Sequence, residues 1–122
     1  MIKNVVKQKS FDFAIRIVKL YQFLIETNKE YVMSKQILRS GTAVGAMIRE
    51  AEHAESKKDF IHKMAIAQKE INESIYWLEL LNKTEYLSID QFENIHHDAV
   101  EIIKLITSII KSSKGNTLTI NN

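Results

Sequence analysis

The feature that most constrains the fold is a helical rhythm of apolar residues across the middle of the chain. Between residues 34 and 81, apolar or small side chains recur at alternating intervals of three and four, the periodicity of helices that pack along a seam. The seam positions are Ile37, Gly41, Val44, Ile48, Ala51, Phe60, Met64, Ala67, Ile71, Ser74, Leu78 and Leu81. The pattern predicts two long helices, and the small residues of the first allow a neighbouring helix to approach closely.

The same rhythm extends to both sides of this segment and predicts four helices in total. The chain has no proline and only three glycines, so long helices are favoured over a sheet with many turns. Ser10 is predicted to cap the first helix and Gly115 to end the last. The predicted helices span about residues 10–28, 34–54, 57–82 and 89–113, after a frayed lead-in at 1–9 and before a loose tail at 115–122. Short links between them favour an all-α fold, an antiparallel up-down-up-down four-helix bundle that forms one domain over residues 1–122.

Two of the helix starts carry a specific capping signal. Ser56 is followed by Asp59 at the third position, and Ser88 is followed by Gln91. In such capping boxes each side chain bonds the backbone N–H of the other residue. The pairs predict that the third and fourth helices begin directly after Ser56 and Ser88.

Composition narrows the class of protein. The chain has no cysteine, which excludes disulfides and thiolate metal sites and is typical of a cytoplasmic protein. The first residues lack the apolar run of a signal peptide, and no stretch approaches the roughly 18 apolar residues of a membrane span. We therefore expect a cytoplasmic protein without a membrane partner.

Positive charge is concentrated in the first third of the chain. Residues 1–39 carry a net charge of +5, and residues 40–122 carry −3, an asymmetry that can mark a nucleic-acid surface. The alternative is that solvated helix charges are scattered unevenly. Asp12 opposes such a surface, because it can pair with Arg16 four residues on. The predicted nucleic-acid contacts are Lys9, Arg16, Lys19, Lys35 and Arg39.

Two surfaces exceed what one bundle core requires and predict a homo-oligomer. The apolar face of the first helix covers roughly half of its circumference at 100° per residue. The third helix carries a second stripe, beside its seam, where an aromatic ring lies near two carboxylates, as is common at interfaces. The alternative for Trp77 is that it covers the edge of the bundle. The predicted interface residues are Lys63, Ile66, Glu70, Glu73 and Trp77.

The sequence contains the residue types of a metal centre but not their arrangement. Glutamates and Glu-x-x-His pairs on four helices are the ligand set of di-iron bundles, and a zinc site would need histidines that share a seam. The candidate ligands Glu26, Glu50, His53, Glu70, Glu93 and His96, and the zinc candidates His53, His62, His96 and His97, fall on different faces and at different levels of the helices. No phosphate loop or nucleophile pattern is present either. We therefore predict no cofactor and no enzymatic activity.

Residues 34–81 resemble the bacterial four-helix-bundle family named for 23S rRNA intervening sequences, and the match extends more weakly over most of the chain. The matching positions are Ser34, Gln36, Leu38, Arg39, Ser40, Gly45, Ile48, Glu50, Ala51, Asp59, Phe60, residues 65–67, Lys69, Glu70, Tyr76, Trp77 and Leu78. Met47 stands where the family usually has asparagine. The resemblance implies a cyclic homopentamer and similarity to the accessory variability determinant proteins of diversity-generating retroelements, which bind nucleic acid and a reverse transcriptase.

These observations favour a non-enzymatic oligomeric accessory protein that associates with nucleic acid, RNA rather than DNA. The competing hypothesis is a protein-interaction module without affinity for nucleic acid. A metal-dependent bundle enzyme is a remote third. The expected partners are further copies of the chain, RNA or DNA, and a reverse transcriptase.

Overall fold

Four α-helices make up the fold in the computed structural model, which describes the backbone of residues 2–121 and the side chains of residues 4–115. The helices are α1 (Ile2–Glu26), α2 (Met33–Glu52), α3 (Lys57–Lys83) and α4 (Ile89–Asn121). No strand occurs within the described backbone. None of the helices is long and apolar enough to cross a membrane, as far as the structure describes them.

The helices form a four-helix bundle with a square cross-section. Each packs against its neighbour in the chain, and α1 also packs against α4, whereas the backbones of the diagonal pairs stay more than 8 Å apart between Cα atoms in the described residues. Lys7, near the start of α1, pairs with Glu52 at the end of α2. Gln68 in the first half of α3 donates to Thr107 in the second half of α4. Neighbouring helices therefore run antiparallel, which confirms the predicted all-α bundle with up-down-up-down topology.

The core follows the predicted seam. Of the twelve seam positions, all but Phe60 are buried, and Phe60 is half-buried against the core. α1 and α4 complete the core with Phe13, Ile17, Leu24, Ile95, Ala99, Ile102 and Ile106. One polar pair lies inside it: Ser74 Oγ is 2.9 Å from Ser40 Oγ and also donates to the Glu70 carbonyl oxygen at 2.9 Å. These two hydroxyls join α2 to α3, and neither of them is left without a partner.

The predicted start of the first helix and the predicted end of the last helix both differ from the structure. α1 begins at Ile2, so Ser10 lies inside the helix, buried, and its hydroxyl donates to the carbonyl oxygen of Lys7 at 3.0 Å. The lead-in is helical because Val6 is buried in the core and anchors two further turns. The α4 backbone continues to Asn121 through Gly115. A glycine inside a helix costs only about 1 kcal/mol and does not by itself end it.

Both predicted serine caps are present, and one of them forms a complete capping box. The box at Ser88 is reciprocal, because Ser88 and Gln91 bond each other's backbone N–H groups at 2.9 and 3.2 Å. At Ser56 only the cap itself is as predicted: Ser56 Oγ accepts from the Asp59 N–H at 3.0 Å, whereas the Asp59 carboxylate accepts from the N–H of Glu55 at 3.2 Å. α2 is capped in an unexpected way. The carboxylate of Glu30 accepts from three N–H groups, those of Val32, Met33 and Ser34, at 3.2, 3.1 and 2.7 Å. This buried carboxylate satisfies donors that the helix itself leaves free.

The α3–α4 link begins with a Schellman motif. The N–H of Tyr86 bonds the carbonyl oxygen of Leu81, and the N–H of Glu85 bonds that of Asn82. Glu85 has a φ of 70°, the left-handed conformation that such a motif requires and that usually favours glycine. This link returns the chain to the bundle so that Leu87 is buried.

Candidate nucleic-acid and subunit surfaces

The predicted cations of α1 lie on the side that faces α4. Lys9 Nζ is 3.5 Å from a carboxylate oxygen of Glu101, and Arg16 donates to Asp98. Arg16 therefore pairs across the helix seam and not with Asp12, whose carboxylate accepts from Gln8. Lys19 is exposed and forms no ion pair among the described residues. Two of the three predicted nucleic-acid contacts on α1 are thus already paired with carboxylates.

Arg39 lies on the opposite side of the bundle, where α2 packs against α3. Its guanidinium donates to Glu70 at 3.2 Å and to Glu73 at 2.6 Å. The bonds to Glu70 and then to Glu73 raise the pKa of Arg39. The Trp77 indole N–H donates to Glu73 at 3.0 Å, and this bond together with Arg39 lowers the pKa of the Glu73 carboxyl group. A charged cluster thus joins the two helices at their outer edge.

The five predicted nucleic-acid residues do not form one surface. Lys9 and Arg16 lie at the α1–α4 seam, while Arg39 lies at the α2–α3 seam, on the far side of the square bundle. Lys35 is exposed in the first turn of α2 and, like Lys19, has no ion pair among the described residues. The expected continuous surface therefore fails, because helical spacing alone does not show which neighbour each flank of a helix faces. The role of each residue in binding stays a prediction.

The predicted interface stripe of α3 makes contacts within the chain. Lys63 donates to Glu50 of α2 at 3.0 Å, and Ile66 and Trp77 are half-buried. Glu70 is buried against α2, and its second carboxylate oxygen, Oε1, has no hydrogen-bond partner in the described part of the chain. The stripe thus stabilises the α2–α3 pair, and its part in an oligomer stays a prediction.

An exposed apolar stripe on α1 was not predicted. Phe11, Ile15 and Val18 are 46%, 41% and 38% exposed and follow each other at spacings of four and three, so they share one face of the helix. The guanidinium of Arg49, on α2, lies 4.9 Å from the centre of the Phe11 ring, which places the stripe on the α1–α2 face. The excess width of the α1 apolar face was the available signal: Val18 was assigned to that face, but Phe11 and Ile15 were not.

A groove runs along the neighbouring face, between α1 and α4. It has a volume of about 540 Å³ and is open to solvent. Its apolar lining comes from Leu20, Phe23, Leu87 and Ile95, and its polar rims from Arg16, Lys19, Asp90, Gln91 and Asn94. The pairing of two helices that are distant in the chain creates this groove, so no local pattern predicts it.

The candidate metal ligands are not brought together. Within the described residues, no group of three or more histidine, aspartate or glutamate side chains is arranged to bind an ion. His96 instead stacks on the Phe92 ring and lies 3.7 Å from Glu79. His53 is exposed at the end of α2.

Comparison with known proteins is consistent with the fold. A crystal structure of a protein from Bacteroides thetaiotaomicron, described as a protein with unknown function from the S23 ribosomal protein family, is 62% identical in sequence. The match covers 91% of this chain and 99% of that one, with a TM-score of 0.90. A comparison with curated proteins finds no match. A sequence profile described as 23S rRNA-intervening sequence protein matches residues 3–108. The chain therefore belongs to the 23S rRNA-intervening sequence protein family.

Proposed function

We propose that this protein is a non-enzymatic, oligomeric accessory protein that associates with nucleic acid, RNA before DNA. Membership of a family named for an RNA insertion is the observation that carries the proposal. The excess of positive charge in residues 1–39 supports it. The resemblance to accessory variability determinant proteins supports a cytoplasmic ring of five copies and a reverse transcriptase as a further partner.

The structure narrows the residues that would contact phosphate. Lys9, Arg16 and Arg39 already have carboxylate partners, so a phosphate would have to compete with these. Lys19 and Lys35 are exposed without such partners in the described part of the chain. Two lysines per chain give weak binding, but repetition in an oligomer multiplies the contacts. Such contacts to the backbone are independent of sequence.

The test is a titration of labelled single-stranded RNA and duplex DNA at two salt concentrations. We compare wild type with a Lys19→Glu, Lys35→Glu variant and with a control, Lys58→Glu, Lys83→Glu, that carries the same charge change on α3. The first variant should bind more weakly and with a shallower salt dependence, because each lost phosphate contact lowers the slope by about 0.9 on duplex DNA. The control should bind like wild type. Equal loss in both variants would show only a general effect of net charge.

A protein-interaction module is the second candidate function. The exposed stripe of Phe11, Ile15 and Val18 favours it, because apolar patches on a surface mark contacts with other proteins. Absence of binding to either nucleic acid by the wild type at low salt would select this second function.

A further inference from the structure

We propose that the outer face of the α3–α4 pair binds an acidic amphipathic helix of a partner protein. This inference goes beyond the proposed function, because it concerns a surface separate from the residues assigned to nucleic acid or to the oligomer. Five exposed lysines on this face form no ion pair in the described part of the chain. These residues, the lysine face, are Lys58, Lys69, Lys104, Lys111 and Lys114.

The contact between Gln68 and Thr107 fixes where the lysines lie. The Gln68 amide donates to the Thr107 hydroxyl at 2.9 Å, across the α3–α4 seam. Lys69 follows Gln68 on α3, and on α4 the lysines Lys104 and Lys111 lie about one turn to either side of this contact. The other two lysines lie further toward one common end of the bundle, because the helices are antiparallel. All five point within about 100° of the seam contact on their own helix, so they share one face.

The carboxylates near these lysines on α3 and α4 do not compensate the positive charge. The Asp59 carboxylate accepts from a backbone N–H of the α2–α3 link. Glu70 and Glu73 both accept from Arg39 of α2. Glu101 pairs across the other seam with a lysine of α1. The lysine face therefore carries an excess of positive charge, which an anionic partner would neutralise.

The surface between the lysines is aliphatic, which favours a helix over nucleic acid as the occupant. Ile61 and Ile103 are half-buried on the two flanks that meet at the seam, and Ala65 is exposed beside them. Residues 61–69 and 103–114 contain no Phe, Tyr or Trp, whereas single-stranded nucleic acid is usually held by stacking on such rings. An amphipathic helix would lay its apolar side on the isoleucines and its carboxylates beside the lysines.

Fluorescence anisotropy with a designed peptide tests the proposal. The labelled peptide has about 20 residues, enough for a helix of ~30 Å, with leucines along one face and glutamates on both flanks. A second peptide has the same composition, but its leucines are spread around the helix. The test variant is Lys69→Glu, Lys104→Glu, and the matched control is Lys19→Glu, Lys35→Glu, which makes the same charge change at exposed lysines of α1 and α2. Labelled single-stranded RNA is titrated against the same proteins, and circular-dichroism melts verify folding.

We expect the wild type and the control to bind the amphipathic peptide alike and the test variant to bind it about tenfold more weakly. RNA should show the reverse pattern, with the loss in the control. Equal peptide affinity of test variant and wild type, or equal affinity for both peptides, would overturn the docking of a helix. Loss of RNA but not of peptide by the test variant would overturn it in favour of nucleic acid. If no protein binds RNA while the peptide results hold, the proposed function fails and this inference stands.

Discussion

At the scale of single residues, Glu85 holds a left-handed backbone conformation that is unfavourable for residues other than glycine. A φ of 70° costs an L-residue about 1–2 kcal/mol. Glycine would remove this strain, but part of the gain is offset because glycine has more conformational freedom in the unfolded state. Glu85→Gly should therefore stabilise the fold by about 0.5–1 kcal/mol, seen as a rise of a few degrees in melting temperature. Asn72→Gly, at an exposed interior position of α3, is the control and should destabilise by about 0.3 kcal/mol, because asparagine is itself a poor helix former. Equal effects of the two changes would show that Glu85 is not strained.

Glu73 should make the free energy of unfolding depend on pH in the acidic range. Its pKa lies below the ordinary value of 4.5 because of the Trp77 N–H and Arg39. A lowered pKa contributes stability that is complete above the ordinary value and is lost as the pH falls through the folded value. We expect Glu73→Gln to be less stable than wild type near neutral pH and the difference to shrink below pH 4.5. Urea unfolding of both proteins at each pH measures it. Glu93→Gln, at an unpaired carboxylate, should differ little from wild type throughout.

At the scale of helices, alanine substitutions at two glycines of α2 are expected to have opposite effects on stability. A Cβ atom on Gly41 would come within 2.7 Å of the buried Ile17 side chain, whereas on Gly45 it would approach Ser10 no closer than 3.4 Å. Gly41→Ala should destabilise by about 1–3 kcal/mol through overpacking, reduced by its gain in helix propensity. Gly45→Ala keeps that gain, up to about 1 kcal/mol. Thermal unfolding of both variants compares them, and similar melting temperatures would contradict the close α1–α2 contact at Gly41.

Features of the helices that depend on residues close together in the sequence could be predicted, whereas those that depend on distant residues could not. The serine caps at Ser56 and Ser88 involve residues within four positions of each other, and both were predicted correctly. The partner of Arg16 is 82 positions away, so local spacing suggested Asp12 instead. The early start of α1 was missed because Val6 is the buried residue that anchors the described positions 4–9, which are otherwise mostly polar.

At the scale of the whole molecule, the core was predictable because its periodicity repeats over many turns, whereas the groove and the charged seams were not. They depend on which helix becomes the neighbour of which. α1 and α4 meet only after the whole chain has folded back. The candidate surfaces could therefore be placed only once the order of helices around the bundle was known.

The bundle should depend on the middle of α3. Ile71 is fully buried, and an unpaired buried carboxylate costs several kcal/mol, comparable to the ~5–15 kcal/mol stability of a whole domain. Ile71→Asp should abolish the cooperative melt, while Asn72→Asp, one position further on and exposed, should change stability by less than about 0.5 kcal/mol. A cooperative transition of Ile71→Asp at nearly the wild-type temperature would contradict the position of the core.

The antiparallel order of the helices gives the bundle two chemically different ends. One end carries the α2–α3 link with Glu55, Ser56 and Lys57, which are polar and exposed. The other carries the α1–α2 and α3–α4 links, where Tyr31 and Val32 are 52% and 73% exposed. In a ring whose axis runs along the helices, every copy would present the same end on the same side. The assembly would then be a disc with two different rims, one formed by the polar α2–α3 links and one on which Tyr31 and Val32 lie exposed among charged residues such as Lys29 and Glu85. A partner protein could distinguish its two sides.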